Sequence, residues 1–405
     1  VTVAAGVAAA AALGKVAPVS DAVRGAFGLS ATSLGLVIST ITVVAALLAL
    51  PVGEWLRHRS AAAWVAAGLA VLAVAGGLMV AVAPSTGVLL GLRVAEGAGY
   101  LLVMVGGPVV LGSQVAERQV APAMALWGAC VPLGLAVSAA AGGVLGSAWG
   151  WRGWFLTVAV VCAVLAVVAG GARGGSRRGW FLTPAVVCAP SRTSAPPGSP
   201  GHRITAGPLL LGAGFALTAS IGVAVLSLLP LCLAAKFGLS PGPAGALTSA
   251  AAVASVPGSL LAGALLRRGA TPRVLGAATL FCPVAAAFVF SGVLPTAATV
   301  GLAVLLLFAA GIGVGATYGA LPSVVARPDA LPAANGVLVQ LGSAGTLLAP
   351  PLFAAVTGFE RWERAAVLVL LAAVAGPALL VRATARRLRD AGPPGHAETE
   401  EKGNR

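Results

Sequence analysis

Long uninterrupted apolar runs govern what this chain can fold into. A helix that crosses a bilayer needs about 20 consecutive, mostly apolar residues. Runs of that kind, each ended by charge or by a Pro/Gly-rich break, lie near 3–19, 31–52, 61–83, 86–111, 121–146 and 153–171. A second set lies near 207–234, 243–266, 273–293, 297–325, 331–356 and 364–384. Barrel strands alternate apolar and polar residues, whereas these runs are apolar throughout, so the expected fold is an all-α integral membrane protein with twelve transmembrane helices. The 55 glycines fit that reading, because small residues let membrane helices approach closely.

Only 9% of the residues are charged, against about 25% in a soluble domain, which leaves too little polar surface for a soluble enzyme of 405 residues. The net charge of +14 is not the mark of a nucleic-acid partner, since the basic residues form no patch or stripe. They mark orientation instead. With the N-terminus in the cytoplasm, 18 of the 25 Lys and Arg residues fall in cytoplasmic segments and five in outer loops. Both termini are therefore expected inside, in a cell (plasma) membrane. Five scattered cysteines and three histidines form no metal-ligand pattern, so neither metal nor cofactor is expected. The first run has no basic n-region and contains Lys15, which argues against a signal peptide. The chain opens on Val1 with almost no cytoplasmic lead, and either a start further upstream or a very short tail fits.

The longest polar stretch, about 172–206, divides the chain into six runs and six. The expected organisation is an N-terminal half (1–171), a cytoplasmic central loop (172–206), a C-terminal half (207–385) and a cytoplasmic tail (386–405). Landmarks recur at a nearly constant offset: Gly53 and Arg57 are echoed by Gly263 and Arg267, and Trp151 by Trp362. Two parallel six-helix repeats explain this, and transporters built so hold their solute near the midplane, between the repeats. A second repeat is local. RGWFLTVAVVCA at 152–163 returns as RGWFLTPAVVCA at 178–189, either a segment duplication or a sequencing or assembly artefact.

Several segments resemble the major facilitator superfamily. Arg93-Val-Ala-Glu96-Gly97-Ala-Gly99 resembles its RxxqGxG motif. Trp127-Gly128 through Pro132-Leu-Gly134, then Gly142-Gly143, resembles its glycine-rich fifth helix, and Gly150-Trp151-Arg152 the residues after it. Gly14-Lys15-Val-Ala-Pro18 is similar to the family's first helices. Among subgroups the cyanate and nitroimidazole transporter-like members are the most similar. The resemblance implies a secondary active transporter, not an enzyme, that moves a small-molecule solute through the lipid bilayer by alternating access as a monomer. A multidrug-type efflux protein and a drifted, non-transporting relative are the alternatives. One motif departs from the family. After the second run an Asp is expected four residues beyond Gly53, as part of a gating latch, and Arg57 stands there. The gating candidates are thus Glu54, Arg57, His58 and Arg59, with Glu54 one turn away as a partial substitute.

An ionisable side chain inside the membrane is a functional candidate by default. Three qualify: Lys15, Arg93 and Glu96. Arg93 and Glu96 share a helix face, and the resemblance places the first and fourth helices along a central cavity where all three could meet. Two cations and one carboxylate would favour a small organic or inorganic anion. A buried carboxylate can also exchange a proton near neutral pH, which makes the proton the expected coupling ion. The alternative role is an ion cluster that only ties the helices together. In the second half Tyr318 and Gln340 are the polar candidates, with helix-to-helix hydrogen bonding as the plainer role for Gln340. Trp127 is expected as an interface anchor. Gly311, Gly313 and Gly315 follow no strand, so they signal close packing, not a nucleotide site.

Overall fold

A computed structural model describes residues 1–56, 60–81, 85–171, 206–325, 327, 330–358 and 361–390. The described residues hold helices and no strand. Before the central stretch come α1 (Thr2–Gly14), α2 (Ser20–Phe27), α3 (Ala31–Leu56), α4 (Ala61–Ala81), α5 (Thr86–Ser113), α6 (Glu117–Gly128) and α7 (Cys130–Gly171). After it come α8 (Ala206–Phe237), α9 (Pro241–Val253), α10 (Ser255–Arg267), α11 (Pro272–Gly276), α12 (Cys282–Ser291), α13 (Thr296–Ala320), α14 (Leu331–Thr357) and α15 (Arg364–Asp390). Among the described residues, eleven helical runs are long and apolar enough to cross a membrane. The run Glu117–Gly171 is 55 residues long, enough for two passes, and Gly150 interrupts it at φ 68°, ψ 176°. The expected boundary between 146 and 153 falls at this glycine, in a conformation that a side chain would strain.

Prolines set the other breaks. Proline has no N–H to give to the carbonyl four residues back, and its ring crowds that carbonyl. Helices α1, α6 and α9 end at Gly14, Gly128 and Val253, four residues before Pro18, Pro132 and Pro257. The 3-10 turn Ala277–Phe281 contains Thr279, four residues before Pro283. The broken spans of the sequence reading are thus single passes with a proline-made joint.

Apolar side chains lie on two kinds of surface. Leu47, Val74, Val167, Leu348 and Leu371 are exposed, as lipid-facing residues are. Inside, small residues bring backbones together. A Cβ on Gly311 would stand 2.2 Å from the Ser255 carbonyl oxygen, and one on Gly68 2.6 Å from that of Gly99. This is close packing of α13 on α10 and of α4 on α5, the role expected for the GxGxG segment.

At one face of the molecule α3, α5, α10 and α13 end while α8 and α14 begin. Gly53 meets Gly336 there, Gly112 lies by Leu331, and Gly207 lies by Val324. We call it the inner face, matching the side expected in the cytoplasm.

Candidate functional site

The end of α1 creates the site. Its last carbonyls lack helical donors, and Pro18 removes one more N–H. Arg93, on α5, fills the gap: Nη1 donates to the Ala12 carbonyl at 3.1 Å and Nη2 to that of Leu13 at 3.3 Å. A guanidinium at a helix C-terminus also meets the negative end of the helix dipole. Its Nε donates to the Val37 carbonyl of α3 at 3.0 Å, so one side chain ties three helices.

Glu96 lies one turn beyond Arg93 and joins the two cations. Arg93 Nη1 donates to Glu96 Oε2 at 2.7 Å, and Lys15 Nζ donates to Glu96 Oε1 at 2.5 Å. All three residues are 0% exposed. Lys15 Nζ lies 4.4 Å from the centre of the Phe155 ring, a cation–π contact, and Trp154 Nε1 donates to the Lys15 carbonyl at 2.9 Å. The cluster therefore joins α1, α3, α5 and α7. Its formal charge is +1, in a site without exposed surface.

The three membrane charges meet as the sequence suggests, but they do not face a central cavity. A Cβ on Gly76 of α4 would stand 3.4 Å from both Glu96 Oε1 and Lys15 Nζ. Glu96 and Lys15 thus point between α4 and α7, into the helices of the first half. The reason is local: Gly97 and Gly99, which follow Glu96 on α5, pack on α3 and α4 and turn Glu96 inward.

The other candidates are dispersed. Tyr318 on α13 is 4% exposed, edge-on to Phe215 of α8 at 5.2 Å, and lies against Gly128 of α6. Gln340 on α14 accepts from the Leu50 N–H of α3 at 2.8 Å. Glu54 is half-buried on the last turn of α3, while Arg57, His58, Arg59 and the 178–189 repeat lie outside the described residues. Trp127 is not an interface anchor: it is 1% exposed and wedged against Gly6 and Gly107, where a Cβ would overlap its indole. No group of three or more His, Cys, Asp or Glu side chains gathers among the described residues. Sequence reasoning missed Trp154, Phe155 and Asn335. Asn335, a side-chain amide in an apolar run, was the legible signal among these.

The long apolar helices define a multi-pass membrane protein. The human organic anion transporter MFSD10 (TETRAN) has a similar structure, with a TM-score of 0.68 at 15% identity over 94% of this chain and 97% of that one. Residues 2–180 match the model of the Major Facilitator Superfamily. No curated protein matches the chain.

Proposed function

We propose that the chain is a secondary transporter of a small-molecule solute, a reading supported by the family match over residues 2–180 and by the fold. We propose that it couples solute movement to the proton, with Glu96 as the proton-binding group and Lys15 as its partner, and that the solute is a small anion. The observation that carries this is the Lys15–Glu96–Arg93 cluster, 0% exposed and one cation in excess.

The three groups divide the work. Arg93 is fixed by three backbone carbonyls of α1 and α3 and serves as the anchor. Lys15 has one carboxylate partner and an aromatic face, so the Lys15–Glu96 contact is the one that protonation of Glu96 can release. Release loosens α1 from α5. Because Gly6 of α1 packs against Trp127 of α6, that change reaches α6 and the boundary with the second half. The two halves, 1–171 and 207–385, move as repeats about the solute, and Trp151 and Trp362, both buried after equivalent spans, support the repeat. An anion fits the cationic excess, the resembled cyanate and nitroimidazole transporter-like members, and the organic anion handled by the human neighbour. The chain works as a monomer in the plasma membrane with both termini in the cytoplasm.

The test is uptake into proteoliposomes from a panel of small organic and inorganic anions, with and without an imposed proton gradient. Gradient-stimulated uptake of one anion that Glu96→Gln abolishes, with solute exchange retained, is the expected result. Uptake by the variant with an unchanged response to the gradient would refute the role of Glu96.

A further inference from the structure

Where α3 and α5 end at the inner face, both helices carry a proline: Pro51 in α3 and Pro108 in α5. Each removes a donor from the helical ladder and loosens the turn before it. Pro108 leaves the Met104 carbonyl, four residues back, without its helical partner. A free carbonyl in the membrane interior needs another donor. It finds one on α14, in the opposite half of the chain. Asn335 Nδ2 donates to the Met104 carbonyl at 3.0 Å and to that of Val105 at 3.1 Å, and Asn335 is 0% exposed. Five residues on, Gln340 accepts from the Leu50 N–H, the residue just before Pro51.

Between the two amides sits Gly336. A Cβ there would lie 2.5 Å from the Ala49 carbonyl oxygen, and one on Gly53 would lie 2.6 Å from that of Pro332. Helix α14 is thus seated against α3 and α5 with no side chain between the crossing backbones. Beside it α6 closes on α10 and α13, with Gly263 at the Pro122 carbonyl and Gly319 at that of Ala121.

We propose that α14 holds the inner face closed through neutral, backbone-directed hydrogen bonds, Asn335 on the proline-freed carbonyl of α5 and Gln340 on the N–H beside the proline of α3. The sequence after α3 lacks the Asp expected of the family's latch. The gate is also reversible by construction. Asn335 Oδ1 has no hydrogen-bond partner in the closed arrangement, so opening lets a buried acceptor reach water. The bonds span the halves and must break when the inner face opens.

The inference is independent of proton coupling and its test needs neither solute nor gradient. Spin labels are placed at Ser113→Cys and Arg268→Cys on the inner face, and at Ser147→Cys and Val293→Cys on the outer, in the full chain with its native cysteines replaced. Distances are measured by pulsed electron resonance in lipid nanodiscs. In the parent the inner pair is expected to be narrow and insensitive to salt, because neutral bonds are not screened. Asn335→Leu removes both bonds to α5 and should raise the long-distance inner population about tenfold or more. Pro108→Ala restores an N–H to the Met104 carbonyl and competes with Asn335 while improving α5. It should shift the same population in the same direction by a few-fold. An unchanged inner distribution in Pro108→Ala, or a parent distribution that widens with salt, would overturn the proposal. Should Asn335→Leu fail to fold, Pro108→Ala decides alone.

Discussion

Lys15, Arg93 and Glu96 are buried ions of α1–α7; among the described residues α8–α15 bury no ion, and their buried polar side chains include Thr218, Ser259, Thr279 and Thr317. The hydroxyls close on backbone carbonyls. Thr218 donates to Gly214, Ser259 to Gly311, Thr317 to Gly313, and Thr279 to both Gly276 and Ala373. Three of those bonds join a side chain to its own helix. None carries a charge, so none answers to pH or to an anion. In the first half the ions join different helices. Similar frames therefore hold a charged centre on one side and a neutral, tightly packed one on the other. The second half holds its helices by glycine contact and hydroxyl bonds, and the first by ions as well.

The comparison breaks most readily at the carboxylate. Glu96→Leu leaves Lys15 and Arg93 buried without an anion, which should lower stability by about 3–5 kcal/mol, read as the thermal midpoint of the detergent-solubilised protein. A drop no larger than that of a hydroxyl variant would mean that the first half does not depend on its ions. The second half should instead fail by crowding. Gly311→Ala sets a methyl 2.2 Å from the Ser255 carbonyl, and the displacement of α13 from α10 should cost about 1–3 kcal/mol in the same assay. Thr279→Val removes a hydroxyl with two acceptors and should cost about 1 kcal/mol, equally at pH 5 and pH 8, since no charge is involved. Smallest of all, Lys236→Met at the exposed end of α8 loses one long contact to the Ser291 carbonyl and should change stability by less than about 0.5 kcal/mol.

The sequence carried the class, the all-helical fold and the three membrane charges, because each rests on composition and spacing along one helix. Arg93 and Glu96 are three apart, so their pairing is a property of α5 alone. Which way the pair faces depends on Gly97 and Gly99, whose partners are in α3 and α4, and nothing in α5 names those partners. Lys15 could be placed near the cluster only through the resemblance. The proline joints were present in the sequence at Pro18, Pro132 and Pro257, but a proline at Pro51 or Pro108 leaves its helix continuous, and only the tertiary partners separate the two outcomes. Asn335 illustrates the same limit: its value lies in the carbonyl freed by Pro108, a residue 227 positions away. Trp127 was misread because interface and interior tryptophans look alike until Gly6 and Gly107 are seen to make room for it.

The account turns on Glu96 exchanging a proton inside a dry cluster. Infrared difference spectroscopy of the protein in lipid, stepped from alkaline to acidic pH, reads that event directly through the C=O stretch of a protonated carboxylic acid shielded from water. The account requires such a band to grow in the parent chain as pH falls and to be missing in Glu96→Gln. Identical difference spectra for the two proteins would contradict it.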